Sequence, residues 1–203
     1  MMKTLFSTVL ILVFCGSVYG SDLDVLIANC DACHGKSGVS SDRDIPIIAG
    51  QPSMFIRDNL IAFRANERVC TENEFRHGDT SRPATTMCKV TAALDDADIE
   101  AVSKYYESQT FVSAKQPFDE SKVAAGAEVQ KKGHCDMCHA DGGRLSNGKV
   151  PILAGQWTPY LEATMHEIKE GTRKVPKIVK VGVQSFSEEE LDALLNFYAS
   201  QQD

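Results

Sequence analysis

The sequence predicts an all-α protein made of two tandem units. Helix-forming residues dominate it, and it contains no long alternating Val/Ile/Thr stretch of the kind that forms a strand. The hexapeptide at 46–51 returns in nearly the same form at 151–156, 105 residues later. A duplication of this kind indicates one structural unit used twice. The chain has 203 residues, of which 43% are hydrophobic, so each unit can bury a modest core of its own.

The first twenty residues predict a secretory signal peptide. Lys3 supplies a positive start, residues 5–14 form an apolar run, and residues 18–20 form the cleavage site. The mature chain is expected to begin at Ser21 and to be exported. The apolar run is shorter than the ~20 residues that span a bilayer, and no later apolar stretch approaches that length. No membrane span is therefore expected in the mature chain.

The charge balance argues against nucleic acid as a partner. The whole chain carries a net charge of −7, and loss of the signal peptide removes only Lys3, which makes the mature chain more acidic still. A protein that binds the phosphate backbone is expected to present a basic surface instead.

Two offsets describe the duplication. Arg68 matches Arg173 at an offset of 105, whereas Leu94 matches Phe186 at an offset of 92. The first copy therefore holds thirteen additional residues between Arg68 and Leu94. In this insertion and at its edges lie Cys70, His77, Met87 and Cys88.

Each copy is predicted to form one domain, with residues 21–112 in the first and 119–203 in the second. Residues 113–118 join the two as a linker. Within each domain we expect a short helix that carries two cysteines, a loop, a middle helix, a second loop and a closing helix.

The closing helices have clear start signals. Asp95 with Asp98, and Ser187 with Glu190, stand at the spacing of an N-cap residue and its capping-box partner. Apolar residues then follow every three or four positions and give each helix one apolar stripe. The members of these stripes are Ile99, Val102 and Tyr106 in the first copy, and Leu191, Leu194, Leu195 and Tyr198 in the second.

A Cys-x-x-Cys-His motif opens each copy. The spacing lets two thiols at one helical end reach both vinyl groups of a single haem, while the adjacent histidine turns toward the iron. The sequence therefore predicts two covalently bound haems c. The attachment residues are Cys30 and Cys33, then Cys135 and Cys138, with His34 and His139 as proximal ligands.

Zinc, a thioredoxin-like redox pair and disulfides are the alternatives for these cysteines. Zinc would take two such pairs, or pairs plus histidines, in one domain, whereas each pair here opens a separate repeat. A redox pair is expected once, after a strand. A backbone carbonyl near Pro46 or Pro151 can accept a hydrogen bond from the proximal histidine, although an ordinary turn proline explains these residues equally well.

Both halves resemble the dihaem cytochromes of the cytochrome c4 type. The resemblance covers essentially the whole mature chain. It rests on the two attachment motifs, on Pro-Ile-[Ile/Leu]-Ala-Gly-Gln at 46–51 and 151–156, on Arg68 and Arg173, and on Tyr-x-Ser-Gln at 106–109 and 198–201. Within this group, segments 116–119, 153–161 and 197–202 most resemble the cytochrome subunit of flavocytochrome c sulfide dehydrogenase.

The resemblance implies a periplasmic electron carrier with two cytochrome c-like domains. Its donor would be a flavoprotein that oxidises sulfide, or it would relay electrons to a terminal oxidase as a free cytochrome c4 shuttle. We expect an electron-transfer subunit rather than an enzyme acting alone. A dihaem enzyme, such as a thiosulfate dehydrogenase or a peroxidase, stays open as a third hypothesis.

Met87 is the expected sixth ligand of the first haem. It precedes the closing helix in the loop where the family brings a thioether over the haem. The alternative is a methionine that fills a gap in the core.

Cys70 and Cys88 are the cysteines left in the mature chain after haem attachment. Because the expected compartment oxidises thiols, we predict that they form a disulfide. The alternative is that one thiolate binds iron, as in some dihaem thiosulfate dehydrogenases. His77, in the same insertion, is expected at the surface.

The second haem departs from the family pattern. The position of Met87 falls on Val179 in the second copy, and no methionine follows Met165. Met165 and His166 match Leu60 and Ile61 on the middle helix of the first copy, and Lys177 or Lys180 could bind iron only after losing a proton. We predict that the second haem lacks a methionine ligand and is either five-coordinate or bound by nitrogen.

Overall fold

The computed structural model describes residues 22–146 and 148–202. The predicted signal peptide at 1–20 lies outside them. Within the described residues the regular structure is helical, apart from one isolated antiparallel bridge between Asn73 and Thr85. This confirms the all-α prediction. No helix in the same ranges is long and apolar enough to cross a membrane.

The helices fall into two sets that follow the duplication. In the first half the α-helices are α1 (Leu23–His34), α2 (Ser53–Arg64), α3 (Met87–Ala92) and α4 (Asp96–Glu107). In the second half they are α5 (Glu120–Lys132), α6 (Ala140–Gly143), α7 (Thr158–Glu170), α8 (Lys177–Gln184) and α9 (Glu188–Ser200). Short 3-10 turns occupy Lys36–Gly38 and Cys135–Met137.

The two closing helices, α4 and α9, begin as the sequence predicts. Asp95 and Ser187 are N-cap residues, and each forms a complete capping box with Asp98 or Glu190. The reciprocal hydrogen bonds satisfy amide groups that the first helical turn leaves without intrahelical partners. The predicted stripes are buried, with Tyr106 0% and Tyr198 1% exposed.

Each half buries its own apolar cluster. In the first half the cluster is centred on Ile99, Val102 and Tyr106 with residues of α1 and α2. In the second half α5 packs closely on α9, and a Cβ at Gly126 would collide with the carbonyl oxygen of Ala193. Only glycine permits this approach of the two backbones.

A third apolar cluster lies where the halves meet. Ile47, Ala49, Ala114 and Trp157 form its buried part. The indole Nε1 of Trp157 donates to the carbonyl oxygen of Ser40 at 3.0 Å, so a side chain of the second half is anchored on the first.

Two glutamines link the halves reciprocally. Gln51 donates to the carbonyl oxygen of Ile152 at 3.1 Å and accepts from its amide at 2.9 Å. Gln156, the counterpart of Gln51, makes the same pair of bonds with Ile47 at 2.8 and 3.0 Å. Each half thus supplies a glutamine side chain that pairs with the backbone of the other half, and approximate twofold symmetry relates the two contacts.

The predicted linker packs against the second half. The amide of Ala114 donates to the carbonyl oxygen of Gly155 at 2.7 Å. The buried side chain of Gln116 donates to the carbonyl oxygen of Gln156 and accepts from the amide of Thr158, at 2.8 and 2.9 Å. Residues 113–118 therefore contribute to the contact between the halves.

Candidate haem-binding sites

The first attachment motif lies in the last turn of α1. Cys30 and Cys33 are three residues apart, so their side chains leave the helix on one side. Asp22 caps the start of the helix and Gly35, at φ 75°, ends it just after His34. Burial raises the pKa of the Cys30 thiol to about 11, the opposite of what a reactive redox thiol needs.

The imidazole of His34 is buried and held in a fixed orientation. Its Nδ1 lies 2.9 Å from the carbonyl oxygen of Pro46. As this carbonyl is an acceptor, Nδ1 carries the proton and Nε2 keeps its lone pair for a metal. Burial lowers the pKa of His34, which favours the neutral form that binds iron.

The second motif is placed differently from the prediction of a helix that carries both cysteines. Helix α5 ends at Lys132, and Cys135–Met137 form a separate 3-10 turn after it. His134, between the two, has left-handed backbone angles of φ 55° and ψ 25°. The change of direction between helix and turn still leaves both cysteines beside His139.

His139 repeats the arrangement of His34. Its Nδ1 lies 3.1 Å from the carbonyl oxygen of Pro151, and burial lowers its pKa. Gln130 of α5 donates to the carbonyl oxygen of His139 at 2.9 Å and ties the motif to the helix before it. The carbonyl oxygens of Pro46 and Pro151 therefore accept hydrogen bonds from the two histidines. The sequence alone could not distinguish this role from that of an ordinary turn proline.

These residues fit two haems c. All four motif cysteines have free thiols, and each motif histidine presents one unengaged ring nitrogen. Within residues 22–146 and 148–202 no three His, Cys, Asp or Glu side chains come together as a direct metal site. Thiols for two thioether bonds and one neutral imidazole are what a c-type haem takes from each motif.

The insertion covers the first motif. The amides of Arg76 and His77 both donate to the carbonyl oxygen of Ala32, at 2.8 and 2.9 Å, between the two motif cysteines. Arg76 also pairs with Asp44 at 2.8 Å. The side chain of His77 is 43% exposed, in agreement with the expected surface position. In the second half, Cys138 and Met137 are exposed instead.

Met87 and the remaining cysteines occupy the end of the insertion. The structure joins Cys70 and Cys88 in a disulfide with a Cα–Cα distance of 5.9 Å. Met87 is the first residue of α3, after the N-cap Thr86, rather than a loop residue. Its side chain packs against the same apolar cluster as Cys30. The disulfide therefore fixes the residue next to Met87 on the chain.

The residues considered as nitrogen or sulfur ligands of the second haem lie in different places in the second half. Met165 is 8% exposed and belongs to the apolar cluster of its half. His166, Lys177 and Lys180 are exposed. Val179 is 37% exposed on α8.

A cluster of charged residues between the halves was not predicted. Arg68 and Arg173 both donate to the Oδ1 of Asn59, at 2.9 and 3.3 Å, and both approach the carboxylate of Glu167, at 3.5 and 3.6 Å. Burial opposes ionisation of the nearby Tyr160, but the two arginines outweigh it and hold the pKa of Tyr160 below its ordinary value. In the sequence, the only sign of this cluster was that Arg68 and Arg173 occupy equivalent positions in the two repeats.

The sequence is similar to those of known cytochromes. Residues 121–197 match the family model described as cytochrome c oxidase, cbb3-type, subunit III. A thiosulfate dehydrogenase electron acceptor from Stutzerimonas stutzeri is 26% identical over 182 residues, which cover 84% of this chain and 78% of the relative. Cytochrome c4 from Pseudomonas aeruginosa is 25% identical over 154 residues, covering 72% and 69%.

Solved structures share the fold. Reduced cytochrome c4 from Pseudomonas stutzeri superposes with a TM-score of 0.69 at 23% identity, over 90% of this chain and 100% of that one. A thiosulfate dehydrogenase from Marichromatium purpuratum superposes with a TM-score of 0.65 at 24% identity, over 85% of this chain and 36% of that one. The chain is therefore similar in sequence to cytochrome c4 and to thiosulfate dehydrogenase electron acceptors, and it shares the fold of cytochrome c4.

Proposed function

We propose that this chain is an exported, periplasmic dihaem c-type cytochrome that accepts electrons from a partner enzyme oxidising a reduced sulfur compound. The observation that carries the proposal is the pair of Cys-x-x-Cys-His motifs, each with its histidine turned by a proline carbonyl, in two halves joined by reciprocal glutamines. Electron transfer between the two haems depends on their separation, and this interface holds the halves in one arrangement.

The chain's own residues have distinct roles in this proposal. The four motif cysteines anchor the two haems, and His34 and His139 bind iron through the nitrogen that faces away from Pro46 or Pro151. A haem held in this way supplies a one-electron iron couple. The carbonyl contacts make both histidines more basic ligands and prevent rotation of the rings.

Met87 is proposed as the sixth ligand of the first haem. A thioether ligand raises the reduction potential and closes the iron to other ligands. The disulfide between Cys70 and Cys88 restrains the start of α3, and with it the adjacent residue Met87. Substrate chemistry is then expected in the partner and not on this chain.

Two sulfur-oxidising donors fit the proposal. The resemblance of residues 153–161 and 197–202 favours a flavoprotein sulfide dehydrogenase as the donor. Its flavin carries two electrons, and two haems can accept them one at a time. Relatives named as thiosulfate dehydrogenase electron acceptors, from Stutzerimonas stutzeri and Thiomonas intermedia, favour a thiosulfate dehydrogenase. Both donors place the chain on the accepting side of an oxidoreductase.

Stopped-flow reduction of the full oxidised holoprotein tests the proposal. A purified flavoprotein sulfide dehydrogenase with sulfide, and a thiosulfate dehydrogenase with thiosulfate, are each mixed with the cytochrome after pyridine haemochrome analysis has counted its haems. We expect two haems per chain and rapid haem reduction by one of the two donors. Each substrate without its enzyme is the control.

Three outcomes would contradict the proposal. A haem count below two per chain overturns the architecture. Reduction by neither donor, together with rapid oxidation by a terminal oxidase, favours a free cytochrome c4-type shuttle. Turnover of thiosulfate or peroxide by the cytochrome alone favours a dihaem enzyme.

A further inference from the structure

We infer that the haem site of the second half has an open distal face, which binds a small uncharged ligand such as a diatomic gas in place of a protein side chain. The inference rests on the proposed function, because it needs a haem attached at Cys135 and Cys138. It goes beyond that function by assigning a ligand-binding role to one of the two electron-transfer sites.

Helices α3 and α8 are counterparts. Each lies directly before a closing helix with a complete capping box, at Asp95 in the first half and Ser187 in the second. Counted back from these caps, the buried residue Thr91 of α3 corresponds to the buried residue Val183 of α8. Met87 corresponds to Val179 in the same register.

The two equivalent residues offer different chemistry to an iron. Met87 carries a thioether and packs into the cluster that contains Cys30. Val179 carries only hydrocarbon and is 37% exposed. A hydrocarbon side chain has no lone pair, so the substitution removes the axial donor from this place.

The methionines of the second half are accounted for elsewhere. Met165 lies on the face of α7 that corresponds to Leu60 of α2, and both are 8% exposed in the apolar clusters of their halves. Met137 is 74% exposed and stands between the two attachment cysteines. A haem attached at Cys135 and Cys138 would keep Met137 next to His139 and away from the position of a sixth ligand.

The nitrogen donors lie in exposed positions. His166 lines a groove between α7 and α9 that is also lined by Glu188 and Asp192. Lys180 extends toward the end of α7, since a Cβ at Gly171 would lie 3.4 Å from its Nζ. Lys177 is exposed as well. A lysine binds iron only as the neutral amine, so Lys177 or Lys180 would first have to lose a proton.

Part of the exposed surface of α8 is apolar. Ile178 and Val181 are 61% and 57% exposed on this eight-residue helix, next to Val179. A porphyrin is a partner that would cover such aliphatic side chains. A distal face lined by them favours uncharged ligands, because an anion would lose its hydration without gaining a hydrogen-bond partner.

Carbon monoxide titration of the reduced holoprotein tests the inference. We expect the spectrum of one haem of the two to shift on addition of the gas. Val179→Met should abolish this binding and strengthen the ferric thioether charge-transfer band. The matched variant Met87→Ala should raise the uptake to two molecules per chain. Electron paramagnetic resonance of the oxidised wild type should show one high-spin and one low-spin haem.

Two results would overturn the inference. One is a wild type with two six-coordinate haems and no uptake of carbon monoxide. The other is uptake that begins only when Lys177 and Lys180 are both replaced by alanine, which would identify lysine as the ligand. A haem count below two would instead contradict the proposed function and is read from the pyridine haemochrome assay before the titration.

Discussion

Arg68 and Arg173 converge on one acceptor, the Oδ1 of Asn59, although 105 positions separate them in the sequence. Their side chains are only 10% and 8% exposed, and Glu167 is the carboxylate that both approach. Burial and the neighbouring Arg173 lower the pKa of Arg68. In this cluster, therefore, one acid neutralises part of the charge of two buried guanidinium groups.

Replacement of Glu167 by glutamine should destabilise the protein strongly. Loss of one partner from a buried ion pair typically costs about 3 kcal/mol or more, because the remaining charge is left uncompensated. Denaturant unfolding of the holoprotein measures the change. Glu170→Gln on the exposed end of the same helix is the control and should change the free energy of unfolding by less than about 0.5 kcal/mol. Equal effects would contradict a specific role for Glu167.

Gln156→Ala should weaken the contact between the halves. The variant leaves the buried amide and carbonyl groups of Ile47 without partners, and the expected loss is about 3 kcal/mol of unfolding free energy. Gln184, an exposed residue that bonds within its own half, gives the matched control Gln184→Ala. If the two variants unfold at the same denaturant concentration, the reciprocal glutamines contribute little to stability.

Removal of the disulfide should loosen the first site. Replacing Cys70 and Cys88 together by alanine should lower the free energy of unfolding by about 3 kcal/mol, since the bond closes a loop of moderate length. The ferric thioether band of Met87 should weaken in the same variant. Thiol titration of the unfolded, unreduced wild type gives an independent check, and two free thiols there would refute the bridge.

Alkaline pH should unfold the protein through its two buried closing-helix tyrosines. Burial is the first cause that raises the pKa of Tyr106 and of Tyr198 above the ordinary value of about 10. The folded state then holds two protons that the unfolded state loses. The stabilisation that these tyrosines provide is fully present below about pH 10. Above that pH the free energy of unfolding falls by up to about 1.4 kcal/mol per pH unit for each tyrosine.

The matching variants are Tyr106→Phe and Tyr198→Phe. Each should reduce the slope of stability against pH above about pH 10. Thermal unfolding across this pH range measures the slope. A slope that no substitution alters would mean that other groups control the alkaline transition.

The sequence predicted local features of the fold well. Capping boxes and apolar stripes located α4 and α9, because the signals of a helix start and a buried face lie within a few residues. The second motif was different. Its helix ends early, and a Cβ at Gly133 would collide with Phe186, a residue more than fifty positions away. A constraint from so distant a residue leaves no mark on the local pattern.

The contact between the halves was the part least accessible to sequence reasoning. Arg68 and Arg173 were visible as a repeated pair, but nothing near them indicated Asn59 or Glu167 as shared partners. The glutamines of the two hexapeptides were recognised as repeated residues, and their exchange across the interface follows only from three-dimensional packing.

The reciprocal glutamines also set an order of assembly. The bonds of Gln156 to Ile47 join residues 109 positions apart, and those of Gln51 to Ile152 span 101. Contacts of such long range form late in folding, because the intervening chain must first lose its conformational entropy. The backbone amide and carbonyl groups of Ile47 therefore stay hydrated until the second half docks, and docking of the halves is the step that completes the native state.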